Sequence, residues 1–350
     1  MKGFKAIILL VLLISNVACE ESKNENKEEV ESKIELDKQE TGIQVLSRGN
    51  VNLLVVDTLL IVQKSSEPFL EIYDTNTHKL LTTFGKQGEG PGEMLVPELI
   101  NQREFENGSP IITLYDFKRR IVNKINLKNL IQENEPVLKQ NPLPFKGNYV
   151  LYFFHADQNF VMGTTEGNGR FTHYSYENDS TKFIPFLPQT EFEVEENFKE
   201  IAYRSTVAIN KEKGLFAAFP ILLGQVDFFD LSGNFLSKTY FEDPDKIKEG
   251  FFIKDEKERQ DSYMYVSDSD SDQNYIFGLN MNNNSSIYRG GSLSRKQKIE
   301  VFDWEGSHIK QYVLNDDLPS ESFAFDEKHN RFYTYCRECE DSNLSYFNVD

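Results

Sequence analysis

The sequence predicts an all-β protein, a six-bladed β-propeller whose ring is closed by strands from both termini. Three observations support this fold class. A strand–turn–strand unit recurs along the chain, aromatic residues make up 13% of the composition, and no long helical periodicity follows Thr41. Aromatic and β-branched residues favour strands, and short apolar segments separated by polar turns are typical of all-β folds.

The recurring unit consists of an apolar strand, an aromatic–acidic pair, a turn and a second strand. The acidic members are Asp74, Asp116, Asp230 and Asp303, and a weaker copy has Glu177 in this position. Successive pairs are 42, 61, 53 and 73 residues apart. A four-stranded propeller blade repeats roughly every 40 to 50 residues, so the longer spacings indicate blades with insertions.

Each part of the unit has an expected role. The aromatic ring packs between adjacent blades, and the aspartate opens the turn into the outer strand by accepting backbone N–H bonds. The inner strands should lie in the segments that precede the pairs, and those of the sixth blade should follow the last pair. The outer strand of the sixth blade is expected from residues 43–46, which would join the two termini and remove an exposed sheet edge. The inner-strand segments are residues 52–62, 145–163, 201–219, 263–279, 323–335 and 344–349.

The N-terminus predicts export. Residues 1–18 form a signal peptide, with two lysines before an apolar segment too short to span a bilayer. Ala18-Cys19 resembles a bacterial lipobox, which implies that Cys19 carries the lipid; the alternative is ordinary secretion with cleavage near Ala18. Residues 19–40 are rich in acidic residues and predict a disordered tether, and residues 41–350 form the propeller domain.

The net charge of −18 bears on partners and location. So acidic a chain is not expected to bind nucleic acid or a bare anionic membrane, which leaves the lipid as its only membrane contact. Glu20 and Glu21, directly after the cysteine, resemble the surface-export signal of Bacteroidetes lipoproteins. We therefore expect a monomer in the cell envelope, anchored to the outer membrane on its periplasmic or outer side.

The segment from Phe84 to Glu93, FGKQGEGPGE, followed by Pro97, resembles the glycine-rich signature of NHL-type repeats. Such repeats are found in six-bladed, TolB-like propeller lipoproteins of Bacteroidetes, which often have Phe at the position of Met94. The resemblance implies a six-bladed propeller in the cell envelope that binds a protein, peptide or glycan on one face. We expect no cofactor. The signature residues are Gly85, Gly88, Gly90, Pro91 and Gly92.

The same glycine-rich segment could be mistaken for a phosphate-binding loop. It lacks the P-loop and dinucleotide-binding patterns, and Pro97 disfavours a following helix. We interpret it as a connection between blades in which glycines permit unusual φ values.

Two further groups are candidates for chemistry. Asp268, Asp270 and Asp272 alternate like the start of a calcium loop, but the sixth and twelfth positions lack the expected Gly and Glu. Cys336 and Cys339 could form a local disulfide or remain free thiols, and they lack nearby zinc ligands.

No linear catalytic motif is present in the sequence, and the histidines are scattered. The first functional hypothesis is a non-enzymatic binding or scaffold protein that presents one face to a protein or glycan partner. The alternative is a propeller-type hydrolase or lyase with a divalent metal in the central channel. Residues that face such a channel come from different blades, so sequence spacing cannot identify them.

Overall fold

Antiparallel four-stranded sheets repeat along the chain in the computed structural model. It describes residues 32–90, 92–133, 138–142, 149–156, 159–164, 169–187, 194–195, 198–251, 263–284 and 295–349. The signal peptide, Cys19 and Pro91 therefore lie outside the described residues. The first strand, β1 (Lys33–Ile43), belongs to the end of the ring and is treated below.

Blades 1 and 2 form the first part of the ring. Blade 1 contains β2 (Val51–Val56), β3 (Leu59–Lys64), β4 (Leu70–Asp74) and β5 (Leu80–Phe84). A connection containing β6 (Lys86–Gln87) and β7 (Glu93–Met94) leads to blade 2. Blade 2 contains β8 (Pro97–Leu99) and β9 (Glu104–Glu106), which both pair with β10 (Ser109–Asp116), followed by β11 (Ile121–Asn126), helix α1 (Leu127–Glu133) and β12 (Leu138–Pro142).

Blades 3 and 4 follow the same meander. Blade 3 contains β13 (Tyr149–Ala156), β14 (Asn159–Thr164), β15 (Phe171–Ser175) and β16 (Ser180–Ile184). After helix α2 (Lys199–Ala202), blade 4 contains β17 (Ser205–Asn210), β18 (Leu215–Pro220), β19 (Gln225–Asp230) and β20 (Phe235–Tyr240).

Blades 5 and 6 complete the ring. After helix α3 (Pro244–Phe251), blade 5 contains β21 (Tyr263–Ser271), β22 (Tyr275–Asn284), β23 (Lys298–Asp303) and β24 (His308–Asn315). Blade 6 contains β25 (Ser322–Asp326), β26 (Arg331–Tyr335) and β27 (Leu344–Asn348), with β1 as its outer strand. First strands of neighbouring blades contact one another, as β25 contacts both β2 and β21. The predicted six-bladed propeller is confirmed.

Strand β1 closes the ring and extends beyond it. Residues 33–37 pair in parallel with β24 of blade 5, and residues 38–43 pair antiparallel with β27 of blade 6. Leu36 is only 4% exposed and packs in the cluster between these blades. The expected start of the domain at residue 41 is therefore wrong, because residues 33–40 lie in a strand instead of the predicted tether. The closing strand is residues 33–43, not 43–46.

The aromatic–acidic pairs behave largely as predicted. Tyr73, Phe229 and Phe302 each lie in a buried cluster that joins two adjacent blades. Asp74 accepts N–H bonds from Asn76 and Thr77 in the turn before the outer strand. Asp230 and Asp303 do the same in their turns, where they accept bonds from residues two and four positions later.

Asp116 departs from the prediction. It ends β10, the second strand of blade 2, so the following strand β11 is the third strand and not the outer one. Its carboxylate accepts N–H bonds from Leu95, Val96 and Arg119. The aspartate thus ties the incoming connection to the blade, and helix α1 separates β11 from the outer strand β12.

The segment 201–219, predicted to form inner strands, is not a strand at its start, because Ile201 and Ala202 end α2.

Candidate functional site

A cleft of about 520 Å³ lies where the inner strands of four blades end on one face of the ring. One wall comes from blade 2, from the β8–β9 segment and from single residues of β10, β11 and β12. The others come from the ends of β17 and β21 and from the turns that follow β17, β21 and β25. We call this space the channel-mouth cleft. Its lining residues are Asn101, Gln102, Arg103, Glu104, Phe105, Glu106, Ile111, Lys124, Lys139, Ile209, Asn210, Lys211, Glu212, Ser271, Asp272, Gln273 and Glu327.

Arg103 forms the base of this cleft. It lies where the inner strand of blade 2 is interrupted between β8 and β9, so its side chain can cross the ring. The two Nη atoms bind both carboxylate oxygens of Asp270 at 2.6 Å, and they also donate to the carbonyls of Ser271 and Phe325. Nε donates to the carbonyl of Val55. All five N–H donors of the guanidinium are used, and they connect blade 2 with blades 1, 5 and 6.

The three alternating aspartates have separate structural roles. Asp268 and Asp270 lie on β21, and their carboxylates accept the backbone N–H groups of Phe323 and Phe325 on β25 of the next blade. Asp272 follows the strand and accepts N–H bonds from Asn274 and Tyr275 in the turn. The alternation places two carboxylates on one side of the strand, as the sequence suggests, but they bind backbone donors of the neighbouring blade.

Asp268 gives this part of the ring a pH dependence. Burial raises the pKa of Asp268 to about 7, from 3.8, although the N–H groups of Phe323 and Ser269 favour its charged form. The folded chain therefore holds a proton that the unfolded chain releases between about pH 4 and 7. The contribution of Asp268 to the free energy of unfolding is therefore greatest below pH 3.8, and it is lost as the pH rises through 7.

We therefore expect Asp268→Asn to raise the melting temperature at pH 8 by several degrees, because the amide accepts the Phe323 N–H without a buried charge. The advantage should shrink as the pH falls from 7 to 4. Thermal melts of both chains across this range measure the effect. An equal difference at every pH would contradict it.

Glu104 links opposite sides of the cleft. Its carboxylate accepts bonds from Lys124 on β11 at 2.9 Å, from Lys211 in the turn after β17 at 2.5 Å, and from Gln102 at 2.9 Å. Burial alone would raise the pKa of Glu104, but Lys211 and Lys124 outweigh burial and hold the pKa below its ordinary value. Glu104 is therefore charged at neutral pH and connects blade 2 to blade 4.

The rim of the cleft is more exposed. Phe105 is 59% exposed on β9, and Glu106, Glu212, Gln273 and Glu327 are also exposed. Trp304, the one tryptophan of the sequence, donates its Nε1–H to the carbonyl of Asp272 at 3.2 Å. A ligand that moves the Asp272 turn would thus change the surroundings of a natural fluorophore.

The other predicted residues lie away from the cleft. Gly85, Gly88 and Gly92 have positive φ in the connection between blades 1 and 2, which confirms the expected connecting role. A side chain at Gly88 would collide with the carboxylate of Glu93, which also accepts the N–H of Gly90. The sulfurs of Cys336 and Cys339 are bonded to each other.

Within the described ranges, no three His, Cys, Asp or Glu side chains are grouped so that they could hold a metal ion. In the same part of the chain, no helix is both long and apolar enough to cross a membrane.

The sequence analysis did not predict a role for Arg103, Glu104 or Phe105. The one signal for them is the polar segment that interrupts an apolar strand after Ile100.

Comparison with known proteins agrees with this architecture. The profile of a family described as TolB-like 6-blade propeller-like matches residues 50–328. Among curated protein sequences, none matches this chain.

Two solved structures from Bacteroides have a similar fold. One is a protein of Bacteroides fragilis described as exported, with 11% identity, a TM-score of 0.51, and 90% of this chain and 99% of that chain covered. The other is a DUF4221 family member from Bacteroides vulgatus, with 10% identity, a TM-score of 0.53, and 87% and 92% covered. At these identities the likeness concerns the fold.

Proposed function

This chain belongs to the TolB-like family of six-bladed propellers, and from that premise we propose that it is a non-enzymatic binding protein of the cell envelope. The observation that carries the proposal is the channel-mouth cleft. Its base is fixed by Arg103, whose N–H donors are all used, and its walls come from strand ends and turns of four blades. A preformed concave site on a rigid scaffold favours binding, because little ordering is needed when the partner docks.

The location is part of the proposal. The predicted signal peptide and the lipobox-like sequence at Cys19 support a lipid anchor in the outer membrane. Strand β1, the first described strand, lies at the outer edge of blades 5 and 6. A similar fold in a Bacteroides protein described as exported is consistent with a site outside the cytoplasm. We propose that the propeller is held at the membrane by this anchor and presents the cleft to a protein or glycan.

The test starts from the full-length protein in the cells that make it. We expect it in the membrane fraction with a lipid on Cys19; a soluble chain without lipid would contradict the anchor. Detergent-solubilised protein should then capture a protein or glycan from cell envelopes, and Gln273→Arg, which places a long cation at the rim, should abolish capture. Gln132→Arg, on the exposed side of α1, is the matched control and should capture normally. Equal capture by both variants would exclude the cleft as the binding site.

A further inference from the structure

The size of the channel-mouth cleft limits what can enter it. Its volume of about 520 Å³ lies within the range of roughly 300–1,000 Å³ that is common for small-molecule sites. A protein interface of ordinary size buries about 800 Å² on each partner and is much broader than such a cleft. The ligand portion that enters is therefore a small molecule or a narrow segment of a polymer.

Most basic groups of the cleft are paired with carboxylates. Arg103 is paired with Asp270, and both Lys124 and Lys211 are paired with Glu104. Of the other charged residues in the part of the lining that the structure describes, Asp272, Glu106, Glu212 and Glu327 are acidic, and only Lys139 is basic. An acidic ligand would meet net repulsion here, because its own charge would be added to this excess.

The deeper surface is polar instead of apolar. Gln102, Asn210 and Ser271 are buried in the wall, where their side chains donate to Glu104, Gln273 and Ile209, respectively. Nearer to solvent, the ammonium of Lys211 has three N–H donors, of which Glu104 accepts one. Asn101 has a buried amide oxygen with no hydrogen-bond partner in the described part of the chain. The cleft thus contains both donors and acceptors, which suits a ligand whose hydroxyl groups can both donate and accept.

Phe105 adds one apolar surface to this polar site. Among the described residues that line the cleft it is the only aromatic one, and more than half of its side chain is exposed at the rim. A phenyl face carries negative quadrupole charge and attracts the polarised C–H groups of a flat, weakly polar surface. The C–H face of a pyranose ring has this character, while its hydroxyl edge faces the polar groups.

We infer that the channel-mouth cleft binds a neutral oligosaccharide, with one sugar ring packed on Phe105 and the hydroxyls of its neighbours bonded to the cleft wall. The inference rests on the proposed binding function and names its ligand class. A peptide ligand is less suited to the site, since the described part of the lining offers an apolar side chain only two aliphatic residues, Ile111 and Ile209.

The test uses the full-length protein on an array of neutral, amino-substituted and acidic oligosaccharides. Neutral glycans should bind, and the best of them should change Trp304 fluorescence in titration. Phe105→Ala should weaken binding by roughly tenfold, whereas Phe105→Trp should retain it. The matched control is Phe183→Ala, an equally simple removal of an exposed phenyl group on β16 of blade 3, which should stay within about twofold of the unsubstituted chain.

Thermal melts of all variants confirm that each is folded. Absence of any neutral glycan from the bound set, or equal affinity of Phe105→Ala and the unsubstituted chain, would overturn the inference. If no glycan binds but capture of an envelope protein still depends on Gln273, the glycan assignment fails and the binding function stands. If neither glycan binding nor capture occurs, both fail.

Discussion

A chain that begins at residue 41 is expected to unfold at a much lower temperature than one that begins at residue 32. The shorter chain lacks the residues of β1 that pair with β24 and most of those that pair with β27, so two strand edges lose their partner. It also lacks Leu36, and removal of a buried leucine side chain alone costs about 2–5 kcal/mol. Since domains are stable by only about 5–15 kcal/mol, the truncation should remove a large part of the total.

Urea and thermal denaturation of the two chains measure this effect. Within the full protein, Leu36→Ala should lower the free energy of unfolding by about 2–5 kcal/mol. Ile34→Ala is the matched control, because Ile34 lies on the same strand but is 36% exposed, and its effect should stay within about 1 kcal/mol. Identical melting curves for chains that begin at residues 32 and 41 would show that β1 does not hold the ring closed.

Arg103→Met is expected to destabilise the protein by about 3–5 kcal/mol, the usual effect of removing one partner from a buried ion pair. Asp270 is 2% exposed, so its carboxylate would keep the N–H of Phe325 but lose the guanidinium. The carbonyls of Val55 and Ser271 would also lose a donor. Because these groups belong to different blades, the substitution weakens the centre of the ring.

A double-mutant cycle separates the ion pair from the other contacts. Asp270→Asn in the Arg103→Met background should cost much less than Asp270→Asn alone, since the buried charge has no partner left to lose. Lys328→Met provides the control, because the Lys328–Asp57 pair is more than half exposed on both sides and should contribute at most about 1 kcal/mol. Additive effects of the two central substitutions would contradict a coupled pair.

The repeat of aromatic–acidic pairs made the propeller predictable, because each pair marks a local hairpin whose geometry depends on neighbouring residues. Asp116 shows the limit of this reasoning: the same local pattern occurs at a turn between the second and third strands. A short motif indicates a hairpin, but only the pairing of the whole sheet determines the position of that hairpin within the blade.

The boundary at the N-terminus was wrong for a related reason. Residues 33–43 contain few apolar side chains and resemble a disordered tether in composition. Their order comes from backbone bonds with strands about 300 residues away and from contacts such as that of Lys38 with Asp316. Composition measures what a segment can bury by itself, and it does not register partners supplied by the opposite terminus.

The candidate site could not be predicted from the sequence for the same physical reason. Arg103 and Asp270 are 167 positions apart in the chain, yet their charged groups are 2.6 Å apart. The alternation of Asp268 and Asp270 correctly predicted a shared side of a strand, but the donors that they bind lie on β25. Only closure of the ring brings these residues together.

The position of β1 also determines how the protein bears mechanical load. Any force transmitted through the residues before Lys33 reaches the body at this strand, which is bonded to β24 along its first half and to β27 along its second. A pull along the strand axis loads these bonds together, in shear, instead of opening them one after another. The strand that completes the ring is thus also the point at which a membrane anchor would pull, and resistance to that pull is shared by two blades.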